Sequence, residues 1–165
     1  MLPNEVVPLF TMMNPDNRMF FGRFIEPSFI NQRLIGLLPV EEPADIDLLH
    51  ALLNSILMKF YIEAVGFGRG LGVLDINKNS ISKCYMLNPS LLSVRQSKEI
   101  KKAFSYILKK RITTIEEELS DEDWINFNKI VLRSYDIENY YDDIVKSLLS
   151  LRAVRKTVVK ITETN

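Results

Sequence analysis

A chain of 165 residues, 47% hydrophobic and 25% charged, supports one folded domain, or one small domain with a helical appendage. Its 21 acidic and 21 basic residues cancel to a formal net charge of zero. That argues against a strongly basic, self-sufficient DNA-binding domain, but allows a local basic patch whose partner supplies the rest of a groove.

Cys84 is the single cysteine and His50 the single histidine, so neither an internal disulfide nor a metal-ligand cluster is expected. Both fit a reducing cytoplasm. No apolar run is long enough to span a bilayer, and MLPNEVVPLF lacks the basic flank and apolar core of a signal peptide.

In chain order, residues 1–40 are rich in Pro, Phe and Met. Phe20–Pro27 and Ser28–Pro39 read as short strands bounded by Gly and Pro. A loop at 41–45 follows, and Asp45 or Asp47 can cap the next element. Ile46, Leu49, Leu53, Ile56, Phe60 and Ala64 recur at helical spacing, widened by Leu48, Leu52 and Leu57. This predicts one long, largely buried helix. Gly66 is its expected stop, through the left-handed conformation glycine accepts.

Val73–Ile76 is a strand candidate, and Asn77–Lys83 can begin a short helix. Asn88-Pro89 signals a turn. From Ser97 onward the pattern is helical, with Ile100, Ala103, Phe104, Ile107 and Leu108 on one face. Thr113 or Thr114, with Glu116 or Glu117, reads as a capping box for a short helix ending near Leu119. Ser120 with Asp123 suggests another start, before a stripe of Trp124, Phe127, Val131 and Tyr135. Ile137, Tyr141, Ile144, Leu148 and Leu151 form the last stripe, and a frayed tail is expected at 157–165.

Four elements in order carry a resemblance. They are Asn31-Gln32-Arg33, then Leu53-Asn54-Ser55 within an apolar helix, then the glycine-rich turn 66–72 around Arg69, then the strand Val73–Ile76. This set resembles the target-recognition region of type II restriction–modification adenine-specific DNA methyltransferases. Asn88-Pro89 is similar to a following element there. Asp123-Trp124, Phe127-Asn128 and the segment 148–152 resemble the helical extension of single-chain members. The resemblance covers most of residues 28–156. Leu-Asn-Ser alone carries little; the ordered set carries the likeness.

The departures concern activity. The family's catalytic motif is Asn or Asp, Pro, Pro, then an aromatic that stacks on the flipped base. Asn14-Pro15-Asp16 and Asn88-Pro89-Ser90 both lack the second proline and the aromatic. No strand runs into a glycine-rich turn of the kind that binds S-adenosylmethionine, and no Asp…Glu-x-Lys nuclease pattern stands out.

Each motif has a plainer reading beside it. The glycines of 66–72 lack a following Lys-Ser/Thr and sit after a helix, the reverse of a phosphate loop, so a helix cap with close backbone packing is expected. Arg69 between them can reach a phosphate or fork onto a guanine edge, against a salt bridge or simple solvation. Asn31, Gln32 and Arg33 offer base-reading groups. In a strand Gln32 would face away from its neighbours; the alternative is capping a buried turn. Asn54 and Ser55, mid-helix among apolar residues, are expected to tie the helix to neighbouring backbone. Lys59, four residues after Ser55, is a phosphate candidate if exposed. The basic run 109–111 suits a helix end. His50 and the aromatic stripes are expected in the core, with Cys84 an inert thiol.

The expected fold is therefore α+β. A small irregular β region packs on a long central helix within residues 1–94, followed by a mostly helical subdomain over 95–156. The implied function is the DNA target-recognition, or specificity, portion of a restriction–modification adenine methyltransferase, non-catalytic by itself. Its partners would be double-stranded DNA and a methyltransferase catalytic domain, in the same or another chain, that binds S-adenosylmethionine. The candidate DNA contacts are Arg33, Arg69, Asn31, Gln32 and Lys59; no residue is assigned to catalysis, cofactor or metal. The alternative is a protein-interaction helical module docking a methyltransferase or nuclease subunit.

Overall fold

In β1 (Val7–Met12) the side chains of Val7, Leu9 and Thr11 are buried while those between them are not. That is the period of two expected of a strand covered on one face. The computed structural model that places it describes residues 6–15, 17–40, 43–69 and 73–162. β1 is the middle of a three-stranded antiparallel sheet, between β2 (Gly22–Ser28) and β3 (Leu34–Leu37). Pro8 has no N–H to give the ladder, and the register against β2 shifts between Val7 and Leu9, where it sits.

The expected strand over 28–39 is instead the end of β2, a turn at 31–33, and β3. Asn31 makes the difference. Its Oδ1 accepts the Arg33 N–H at 2.8 Å and its carbonyl accepts the Leu34 N–H at 3.1 Å. A side-chain carbonyl bonding the backbone two residues on is a turn former.

The long central helix is two helices. α1 (Ile46–Leu53) starts at Asp45, whose carboxylate accepts the Leu48 N–H at 3.0 Å. α2 (Ile56–Val65) leaves it at 60°. The break falls on Asn54-Ser55, and the side chain of Asn128 accepts the Ile56 N–H at 2.8 Å in place of a local cap. No single described helix is long and apolar enough to cross a membrane. Gly66 ends α2 with φ −69°, so left-handed backbone is not what it supplies. A Cβ there would lie 2.5 Å from Leu74 Cδ1 and 2.9 Å from the Ile62 carbonyl oxygen. Close approach requires the glycine.

The hairpin β4 (Phe67–Arg69) and β5 (Val73–Asp75) follows, then the single turn α3 (Lys78–Ile81). α4 (Val94–Ile107) begins at a Ser93/Gln96 capping box, three residues before the expected start. α5 (Ile115–Glu118) begins at the Thr114/Glu117 box read from the sequence. α6 (Glu122–Ser134) is capped by Asp121. α7 (Tyr141–Thr162) runs through most of the stretch expected to fray. Just before that stretch Lys156 pairs with Glu116 at 3.0 Å, and residues 163–165 lie outside the described residues.

The chain is thus α+β, with a small β region and a mostly helical C-terminal half. The two halves share their cores. One core joins Leu9, Phe21, Ile35, Ile56 and Ile62 to Ile115, Leu132 and Leu148. The other joins Leu48, Ala51 and Leu52 to Ile100, Phe104, Trp124 and Phe127. Apolar burial therefore runs straight across the expected 94/95 boundary.

Candidate nucleic-acid interface

The segment from Met13 to Phe21 ties the candidate residues together. Met13 donates its N–H to the Arg33 carbonyl at 3.0 Å and accepts the Ile76 N–H at 2.8 Å. The turn 31–33 and the base of the β4–β5 hairpin thus flank one residue. Asn14 adds a bond from Nδ2 to the Asp75 Oδ1 at 3.1 Å. Arg69 pairs with Val73, at the end of the hairpin away from Asp75. Two strand residues separate those rungs, roughly 7 Å. The backbone thus brings Arg33 and Arg69 onto neighbouring elements. The Arg69 side chain and residues 70–72 of the expected tip lie outside the description.

Asn31, Gln32 and Arg33 are all exposed. Because they form a turn, the strand alternation that would turn Gln32 away does not apply. Asn31 commits Oδ1 to the turn and keeps its amide N–H groups; Gln32 and Arg33 present theirs to solvent.

Lys59 cannot contact DNA. It is 4% exposed, ion-paired to Glu118, and lies 3.8 Å from the ring centroid of Trp124. Burial pushes its ammonium below the usual range against the pull of Glu118, and pushes the Glu118 carboxyl up. The sequence reading failed because the partner lies 59 residues away, on α5.

Behind the surface stands a second buried ionic group. The Arg152 guanidinium, 1% exposed, donates to Glu116 at 3.0 Å and to the Asn17 Oδ1 at 3.1 Å, with Glu63 at 3.7 Å. Arg155 pairs with Glu63 at 2.6 Å, and its stem lies 3.4 Å from where a Cβ at Gly68 would be. The Asn17 carbonyl accepts the Ile115 N–H at 3.1 Å. Thus α7 buttresses both the hairpin and the Met13–Phe21 segment. Sequence reasoning did not find these roles for Asn17, Glu63 or Arg152. The one available signal was Glu63 standing four residues after Lys59 on an otherwise apolar helix.

Asn54 does what was expected of it. Oδ1 accepts the Phe21 N–H at 2.9 Å, and Nδ2 donates to the Phe21 and His50 carbonyls at 3.0 and 2.9 Å. His50 Nε2 lies 2.8 Å from the same Phe21 carbonyl, and burial holds the imidazole below its ordinary pKa. His50 is therefore a core residue. Cys84 is half-buried, and burial pushes its thiol pKa up, the opposite of a reactive cysteine. Among the described residues no group of acidic, His or Cys side chains could hold a metal.

No protein-family model, curated protein or solved structure matches this chain. What the arrangement can do rests on its own chemistry. It presents an exposed amide and guanidinium on a hydrogen-bonded turn, set beside a hairpin and held from behind by buried ion pairs.

Proposed function

We propose that this chain is the DNA target-recognition portion of a restriction–modification adenine methyltransferase, non-catalytic by itself and acting in the cytoplasm. A separate catalytic domain, in the same or another chain, holds S-adenosylmethionine and methylates the adenine. The observation that supports this most is the Met13 junction. It sets the Gln32–Arg33 turn beside the hairpin that carries Arg69, two of the elements on which the family resemblance rests. In this reading Arg33 and Arg69 contact DNA, with Asn31 and Gln32 behind them. Phosphate contacts set register, while an Arg fork or a Gln amide on a base edge supplies discrimination.

Arg69→Ala in the intact enzyme tests the assignment. Methylation falls, and falls further as salt is raised; methylation unchanged at every salt concentration removes Arg69 from the interface.

A second reading, a protein-interaction module, is favoured by a different surface. A groove of about 590 Å³ lies at the other end of β3, lined by Leu37, Leu38, Val40, Leu48, Leu49 and Met86 among others. Val40 is fully exposed beside it. Exposed apolar surface of this kind suits docking of another domain. It lies away from the 31–33 turn, so one chain can carry both contacts.

A further inference from the structure

Arg33 is exposed, yet both of its backbone polar groups are bonded. Its carbonyl accepts the Met13 N–H at 3.0 Å, and its own N–H donates to the Asn31 Oδ1 at 2.8 Å. The fold itself backs the first bond, since Met13 also accepts the Ile76 N–H at 2.8 Å. The second depends on one exposed side chain.

That side chain opens a hydrogen-bonded turn. The Asn31 carbonyl accepts the Leu34 N–H at 3.1 Å, and none of residues 31–34 has a positive φ, as in a type I turn. Such a turn favours Asn at its first position, because the side-chain oxygen can bond the backbone two residues on. A side chain leaves the backbone along the Cα–Cβ bond. Holding the N–H and the carbonyl of Arg33 therefore fixes where its guanidinium starts from. Oδ1 is the only acceptor on the Asn31 side chain, and this bond engages it.

We infer that Asn31 is a positioning residue, which aims Arg33 at the duplex and supplies no contact of its own that binding needs. This rests on the DNA reading above, and it changes Asn31 from a candidate contact into a residue that acts through Arg33. Holding a group in its bound direction raises affinity by removing an ordering cost from the binding step. With Ala at position 31 the Arg33 N–H is left to water, and the guanidinium is ordered only as DNA binds.

The test is a double-mutant cycle, read by titrating the full chain with a mixed-sequence DNA duplex at about 50 mM salt. Asn31→Ala is expected to weaken binding about fivefold, the worth of one net hydrogen bond. Asn31→Ser lacks the amide but keeps an oxygen that can accept from the residue two on. It is expected to bind within about twofold of the unaltered chain. On an Arg33→Ala background, Asn31→Ala is expected to change nothing further, because nothing is left to position. Effects of the two alanines that add overturn the inference, as does Asn31→Ser binding as weakly as Asn31→Ala. Either result makes the Asn31 amide a contact in its own right. Asn31→Ala without effect, beside a weakened Arg33→Ala, also overturns it and leaves the DNA reading standing. Arg33→Ala without effect removes Arg33 from the interface, and this inference with it. No binding by the unaltered chain overturns the DNA reading and the inference together. Both positions are exposed, and circular dichroism checks that the fold is intact.

Discussion

Asn54 shows how one amide can set the geometry of a site from behind it. It spends both ends on Phe21 and His50, which locks the end of the Met13–Phe21 segment to the bend between α1 and α2. Asn54→Ala leaves the buried Phe21 N–H unpaired. We expect a loss of about 2–4 kcal/mol in denaturant unfolding; a loss under about 1 kcal/mol would mean the bend holds without it. Glu116 gives a pH signature. Burial pushes its carboxyl up, but hydrogen bonds from Arg152 and Lys156 outweigh that and bring it down to about 2. A carboxyl with a depressed folded-state pKa stabilises the fold once ionised. Its contribution is full above about 4.5 and is lost as pH falls towards about 2. Glu116 is half-exposed, so solvent screening keeps the energy small. Thermal melts are expected to show the midpoint falling across that window, and falling less in Glu116→Gln. Identical pH profiles would remove Glu116 from the linkage. Asn54 could be read from the sequence, because a polar residue amid apolar helical neighbours needs partners. Lys59 misled for the complementary reason: its partner Glu118 is chosen by tertiary packing, which no local spacing encodes.

At the scale of elements, the apolar stripes that form the helices were readable, and so was the Thr114/Glu117 box. Their joints were less so. The stripe from Ile46 to Ala64 continues through Asn54-Ser55 without a phase break. Only the bonds to Phe21 and Asn128 turn it into two helices. Gly66 was legible as a stop but not in its cause, because φ is ordinary and the constraint is Leu74 against Ile62. Gly66→Ala therefore drives a Cβ into backbone and a core side chain. We expect it to cost about 1–3 kcal/mol, measured by chemical denaturation. A neutral effect would show that β5 can shift away freely. Residues 31–33 likewise read as strand from the sequence, and they turn because Asn31 bonds its own backbone. That change puts Gln32 and Arg33 on one exposed corner, where strand geometry would have separated them.

Across the whole molecule, two apolar cores and the buried ion pairs Lys59–Glu118 and Glu63–Arg155 join the first 94 residues to the helical half. The expected boundary at 94/95 follows the change to a helical pattern near Ser97. Core sharing was invisible because it depends on which stripes meet. The mixed class was legible throughout. The individual groups of the proposed DNA surface were not, since specificity resides in single exposed side chains. Zero net charge fits the proposal that this chain completes a binding groove with a catalytic domain, for which the apolar groove at Val40 is the proposed meeting surface. The most direct test of the central claim is a duplex titration of the methyltransferase catalytic domain with and without this chain. We expect the chain to add affinity and to steepen its decline with salt. The same affinity and the same salt slope in both titrations would contradict a DNA-recognition role.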